Sequence, residues 1–125
     1  MGCEIFYKAK QQKLPFNSSI RSTSQIFELI HLDLWGPYKQ PALDGSHYVF
    51  TIVDDYSRAT WTYLMKTKHQ TLLMFIHFCN MIQNQFDKRI KTIRTDNGSE
   101  FINHEFQNYL SQKGILHQKT CVYTP

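Results

Sequence analysis

Two aspartates stand at the ends of runs that read as strands. Asp33 closes an alternating run just before Trp35-Gly36-Pro37, and Asp96 closes the short run from Ile90 to Thr95 just before Asn97-Gly98-Ser99. Carboxylates at strand ends are rigidly held, and two brought side by side repel unless a cation lies between them. Mg²⁺ takes oxygen ligands, usually a few carboxylates together with phosphate oxygens. In two-metal phosphoryl transfer the ions stand roughly 3.5–4 Å apart, one activating the attacking oxygen and one stabilising the leaving oxygen. Metal-dependent chemistry on a phosphodiester is therefore one reading of the pair. The other is that each aspartate caps its strand and accepts turn hydrogen bonds.

The elements that must position these residues follow from periodicity. From Phe27 to Trp35 the chain alternates, with Ile30, Leu32 and Leu34 on one side and His31 and Asp33 on the other, which predicts a strand stopped by Gly36-Pro37. Tyr48 to Val53 is almost continuously apolar and β-branched, as a strand buried on both faces would be. Asp54-Asp55-Tyr56-Ser57 reads as a tight turn, and Arg58 to Met65 as a strand that hairpins back. Leu72, Phe75, Cys79, Ile82 and Phe86 then form one helical stripe, predicting a helix over 68–86. Ile90 to Thr95 reads as a short strand. A second helix opens at Asn103 as N-cap, carries Phe106, Tyr109 and Leu110 inward, and ends at Gly114. Ile115 to Thr120 is the last strand. The order β-β-β-α-β-α-β predicts an α/β fold, a mixed sheet with helices on its faces. No closing helix follows the fifth strand in this sequence. A sheet left so exposes apolar surface, and the isolated chain is expected to be marginally stable and prone to oligomerise.

Composition excludes several classes. The 125 residues are 42% hydrophobic, 19% charged and 14% aromatic, with five Gly and four Pro, which rules out disorder and low-complexity linker. The richest apolar run, Leu72 to Phe78, is broken by His77, so no segment is long enough to span a membrane. The first 25 residues lack the apolar centre of a signal peptide. Three scattered cysteines, Cys3, Cys79 and Cys121, argue against a disulfide framework and for a reducing compartment. Net charge is +4, but residues 26–65 are locally acidic whereas residues 1–25 and 66–94 are basic. An acidic cluster in a basic chain suits a metal-dependent enzyme acting on nucleic acid; a solvated surface of scattered charge is the bland alternative.

Other candidates carry less. His31 shares a strand face with Asp33 and reads as a hydrogen-bonded strand residue more readily than as a tuner of a metal site. Asp54-Asp55 fits a structural turn better than a ligand pair, Cys79 reads as core, His77 as exposed, and Lys88-Arg89-Ile90-Lys91 as a solvated face.

The phrases His31-Leu32-Asp33-Leu34-Trp35-Gly36-Pro37, Val53-Asp54-Asp55-Tyr56-Ser57-Arg58 and Thr95-Asp96-Asn97-Gly98-Ser99-Glu100-Phe101, with Gly114-Ile115, His117 and Tyr123-Thr124-Pro125, closely resemble the integrase core of copia-type LTR retrotransposons. The resemblance runs from about Cys3 to the last residue. It implies an RNase H-like fold, Mg²⁺ or Mn²⁺ as cofactor, DNA (element ends and target) as partner, and 3′-end processing with strand transfer. It implies residence in a longer polyprotein, homo-oligomers, a nuclear or cytoplasmic location, and neither membrane nor small-molecule substrate. Asp33 and Asp96 would be the first two members of the family's acidic triad. The third, a glutamate, falls beyond Pro125, and neither Glu100 nor Glu105 obviously substitutes. This chain alone is accordingly expected to show no strand transfer. Ser99 would approach target DNA and Tyr123 the element end. Residues 1–25 look like a basic arm, the remnant of the end of a zinc-binding segment, and 26–125 like a partial catalytic core. In the arm Cys3 stands alone and Phe6 takes the second cysteine's place, so no zinc is expected. The alternative function is a catalytically dead relic, or a nucleic-acid- or protein-binding module.

Overall fold

A five-stranded mixed sheet forms the centre of the computed structural model, which describes residues 23–40, 42–96 and 98–119. Its strands are β1 (Leu29–Trp35), β2 (Tyr48–Asp54), β3 (Thr60–Met65), β4 (Thr92–Thr95) and β5 (Leu116–Lys119). They lie in the order β3-β2-β1-β4-β5. The β1–β2 and β2–β3 pairs are antiparallel, while β4 runs parallel to both β1 and β5. Three helices accompany them: α1 (Thr71–Phe86), α2 (Ser99–Ile102) and α3 (His104–Lys113).

The predicted strands are all present, but two begin late for a shared reason. Phe27 and Arg58 have φ of 64° and 68°, in the left-handed region that no strand residue adopts. β1 therefore opens at Leu29 and β3 at Thr60. Both irregularities converge on Asp54, whose carboxylate accepts from the Phe27 amide at 2.7 Å and whose carbonyl accepts from the Arg58 amide at 2.8 Å. Ile90 is buried, yet β4 begins only at Thr92.

The first helix divides. A single 3₁₀ turn, Lys68–Gln70, precedes α1, and the Gln70 side chain bends back to accept from the Lys66 and Thr67 amides at 2.8 and 3.2 Å. The buried stripe of α1 is Thr71, Phe75, Phe78 and Ile82, turned slightly from the expected one. Phe78 thus joins the core, whereas Phe86 lies half-exposed, edge-on to Phe27. Asn103 caps α3 as anticipated, its Oδ1 accepting from the Phe106 amide at 2.8 Å, and Gly114 ends it at φ 70°.

Among the described residues the helices pack on one face of the sheet. Phe75, Phe78 and Ile82 of α1, Phe101 of α2, and Phe106 and Leu110 of α3 join one core with Ile30, Leu32, Phe50, Ile52 and Ile93. The intervening residues of each strand point away from it. This corrects the reading of Tyr48 to Val53 as buried on both faces: Phe50 and Ile52 are buried, but Val49, Thr51 and Val53 are only half-buried. On that second face Leu64, Trp35 and Leu116 are exposed.

Candidate metal centre

Asp33 and Asp96 come from the strands that pair in parallel near the middle of the sheet. Leu29 pairs with Thr92, Ile30 with Ile93 and His31 with Arg94. The pairing ends there; Asp33 and Asp96 each lie two residues beyond this last pair, Asp33 still within β1 and Asp96 just past the end of β4. Asp33 is half-buried, on the face away from the helices, and pairs across β2 with Thr51. Thr51 in turn accepts from the Trp35 indole at 3.3 Å. Gly36 ends this strand at φ +118°, where a Cβ would lie 2.5 Å from the His47 carbonyl.

Asp96 is exposed, and its Oδ1 accepts from the Gly98 amide at 2.9 Å. That bond orients the carboxylate. Glu100 reaches toward the same glycine, where a Cβ would collide with its carboxylate. Lys68 engages Glu100 at 3.8 Å. Glu105 is exposed in the first turn of α3. Among the described residues no three His, Cys, Asp or Glu side chains gather closely enough to hold a metal ion. The donors at the strand ends are two hard carboxylates, which suit Mg²⁺ or Mn²⁺ but form an incomplete set.

A second polar cluster flanks the first. His31 Nε2 lies 2.9 Å from Asp55 Oδ1, Thr23 donates to Asp55 Oδ2 at 2.9 Å, and Arg58 stands 3.7 Å from Oδ1. His31 is thus a hydrogen-bonded strand residue, and Asp54-Asp55 a structural pair. Burial alone would raise the Asp55 carboxyl, but the hydrogen bond and charge of His31, the Thr23 hydroxyl and Arg58 outweigh it, holding the pKa near 2. A carboxyl whose folded pKa is depressed stabilises the fold above its unfolded value, near 3.8, and loses that contribution as pH falls toward 2. The stability difference between wild type and Asp55→Asn should therefore shrink by on the order of 2 kcal/mol between pH 4 and 2, measured by urea unfolding. A difference constant across that window would contradict the ion-paired geometry.

The remaining candidates fall as follows. Ser99 is the exposed first residue of α2. Tyr123, Cys3 and Phe6 lie outside the described residues. Cys79 is half-buried, and burial pushes its thiol up to about 11, as befits a packed side chain. His77 is exposed, edge-on to Tyr63. Arg89 and Lys91 are exposed, while Lys88 is half-buried and reaches Gln25 at 3.4 Å. Sequence spacing gave no hint of one network, in which Thr95, Gln107 and His117 meet beneath Asp96 from three different elements. The only trace was the phrase Gly114-Ile115 with His117, which carried no role.

The integrase core domain family matches residues 24–125. The chain is 34% identical over 123 residues to the retrovirus-related Pol polyprotein from transposon TNT 1-94 of Nicotiana tabacum, covering 98% of this chain and 9% of that protein. It is 36% identical over 127 residues to the corresponding polyprotein from transposon RE2 of Arabidopsis thaliana, covering 100% of this chain and 8% of the relative. The chain thus spans less than a tenth of either polyprotein. Among solved structures, the HTLV-2 integrase catalytic core domain in complex with magnesium superposes with a TM-score of 0.61 at 20% identity, over 74% of this chain and 59% of that one. A simian T-cell lymphotropic virus intasome bound to PP2A regulatory subunit B56 gamma gives 0.63 at 22% identity, over 79% and 34%. Both share the RNase H-like fold.

Proposed function

Because the chain belongs to the integrase core domain family, we propose that it is the part of a retrotransposon integrase that supplies the first two carboxylates for DNA integration. The observation that supports the reading is the parallel β1–β4 pairing, with Asp33 and Asp96 each two residues beyond its last pair, His31 with Arg94. A divalent ion held there, Mg²⁺ or Mn²⁺, would supply charge neutralisation at a phosphodiester and activation of the attacking oxygen. The chain's own contribution is placement. Asp33 pairs with Thr51 of β2, so its backbone cannot shift without breaking that ladder. The Gly98 amide orients the Asp96 carboxylate, and Gly98 keeps open the space into which a side chain would intrude. The magnesium in the HTLV-2 core complex supports the choice of ion by kinship.

DNA is the proposed partner, with exposed Ser99 facing the target strand and Tyr123 the element end. Assembly into multimers is proposed on the strength of the uncovered sheet face, where Leu64, Trp35 and Leu116 are exposed. The second reading, a binding module without catalysis, draws support from the fact that among the described residues no three His, Cys, Asp or Glu side chains gather to hold a metal ion. The experiment that separates them is strand transfer of an oligonucleotide element end in Mn²⁺. A chain extended through the glutamate that the family resemblance implies beyond Pro125 is expected to join the end to target DNA, and residues 1–125 alone to show none. Activity in the short chain would overturn the requirement for a third carboxylate, and inactivity of both would favour the binding module.

A further inference from the structure

The geometry points to His117 as a positioning residue for Asp96, acting through the Thr95 hydroxyl; the inference rests on the proposed metal role of Asp96. The Gln107 amide nitrogen donates to the Phe101 carbonyl at 2.8 Å, which can only accept, and this fixes which end of the amide faces inward. The same nitrogen lies 2.9 Å from His117 Nδ1. An amide NH₂ cannot accept, so Nδ1 must, and the ring proton resides on Nε2. Nε2 lies 2.7 Å from Thr95 Oγ1 and donates to it. Thr95 Oγ1 in turn donates to the Asp96 carbonyl at 2.6 Å. The polarity is consistent at every link, from the α2 backbone through α3 and β5 to the peptide that carries Asp96.

The location explains why such a chain of bonds is needed. β4 is only four residues long and its ladder ends at Thr95, so Asp96 has no strand partner of its own. Thr95 is fully buried and His117 half-buried on the helix side of the sheet. Burial, with Lys119 adding to it, keeps the imidazole pKa below its usual range, so the neutral ring that the relay requires persists. The Asp96 peptide is thereby gripped from the core side by Thr95 while Gly98 grips its carboxylate on the exposed side.

The test measures Mn²⁺ affinity of the 125-residue chain by electron paramagnetic resonance of free Mn²⁺, with the Asp96 and Gly98 amide resonances recorded without metal. His117→Phe fills the ring's space without donor or acceptor, and Thr95→Val is the isosteric break in the middle link. Each is expected to weaken Mn²⁺ binding about tenfold, the scale of losing an outer hydrogen bond to a ligand. The double variant should be no worse than either single one, because both cut one relay. His117→Gln offers one acceptor and one donor and should recover most of the affinity. The amide shifts of Asp96 and Gly98 should move in His117→Phe and return in His117→Gln. Unchanged affinity and shifts in a folded His117→Phe, with Asp96→Asn still losing Mn²⁺, would overturn the positioning role and leave the function standing. If Asp96→Asn also keeps its Mn²⁺, the metal reading fails and the positioning role with it. Additive losses in the double variant would likewise refute a shared relay.

Discussion

Asp33→Asn or Asp96→Asn should abolish measurable Mn²⁺ binding to the 125-residue chain and, in a chain carrying the third carboxylate, cut strand transfer by about a thousandfold. The substitution keeps shape and removes charge. In the proposed site each carboxylate would supply about half of the anionic field that draws an ion out of water, and Mg²⁺ and Mn²⁺ yield their hydration shell only to strong oxygen donors. The amide that replaces a carboxylate offers a weaker oxygen, and its NH₂ repels the ion. Folding should be largely spared: Asp96 is exposed, and Asp33 lies on the face that carries no helix. Unfolding midpoints without metal therefore serve as the control. Either variant retaining wild-type affinity, by calorimetry with Mn²⁺, would remove that aspartate from the site.

The largest stability effect is expected at Asp54→Ala. Asp54 is wholly buried, and its carboxylate accepts from the Phe27 amide at 2.7 Å, the Ser57 amide at 2.8 Å and the Ser57 hydroxyl at 2.7 Å. Truncation strands the Phe27 amide in the interior and deprives the β2–β3 turn of its internal acceptor. A stranded buried donor costs about 1–3 kcal/mol, and here the strained turn at Arg58 loses support as well, so a total near 3–5 kcal/mol is expected. Against a typical total of about 5–15 kcal/mol, this brings the chain close to unfolding at room temperature. Urea unfolding monitored by Trp61, which packs against Phe27 and Phe78, reads it directly. A loss below about 1 kcal/mol would show that the carboxylate is dispensable.

Those two sites also mark where the sequence was legible. Element order followed from period and turn residues, because alternation, helical spacing and the Asn103 and Gly114 caps are local signals. The errors were tertiary. Phe27 and Arg58 look like strand residues in isolation; their left-handed backbones are dictated by Asp54, which reaches Phe27 across 27 positions. The one-turn helix α2 was missed because four residues hold too little of a period, although Phe101 is completely buried. Val49, Thr51 and Val53 suggested a doubly covered strand, and only the arrangement of the helices shows that, among the described residues, their face carries no helix. In the site, position at strand ends singled out Asp33 and Asp96, whereas the bonds among Thr95, Gln107 and His117 depend on β4, α3 and β5 meeting and have no one-dimensional signature.

The parallel pairing of β1 with β4 has a consequence for how the molecule assembles. The three-strand meander closes through the connections 36–47 and 55–59, whereas Ile30 meets Ile93 only after the intervening helix has formed and folded back. Closing so long a loop costs entropy that later contacts must offset, so this pairing belongs to the late stage of folding. Until β4 docks, Asp33 is a lone carboxylate with no more affinity for a cation than any other on an open chain. An ion that recognises the pair therefore recognises only the finished fold. It would draw the last docking step forward by mass action, with a gain that grows with the logarithm of its concentration.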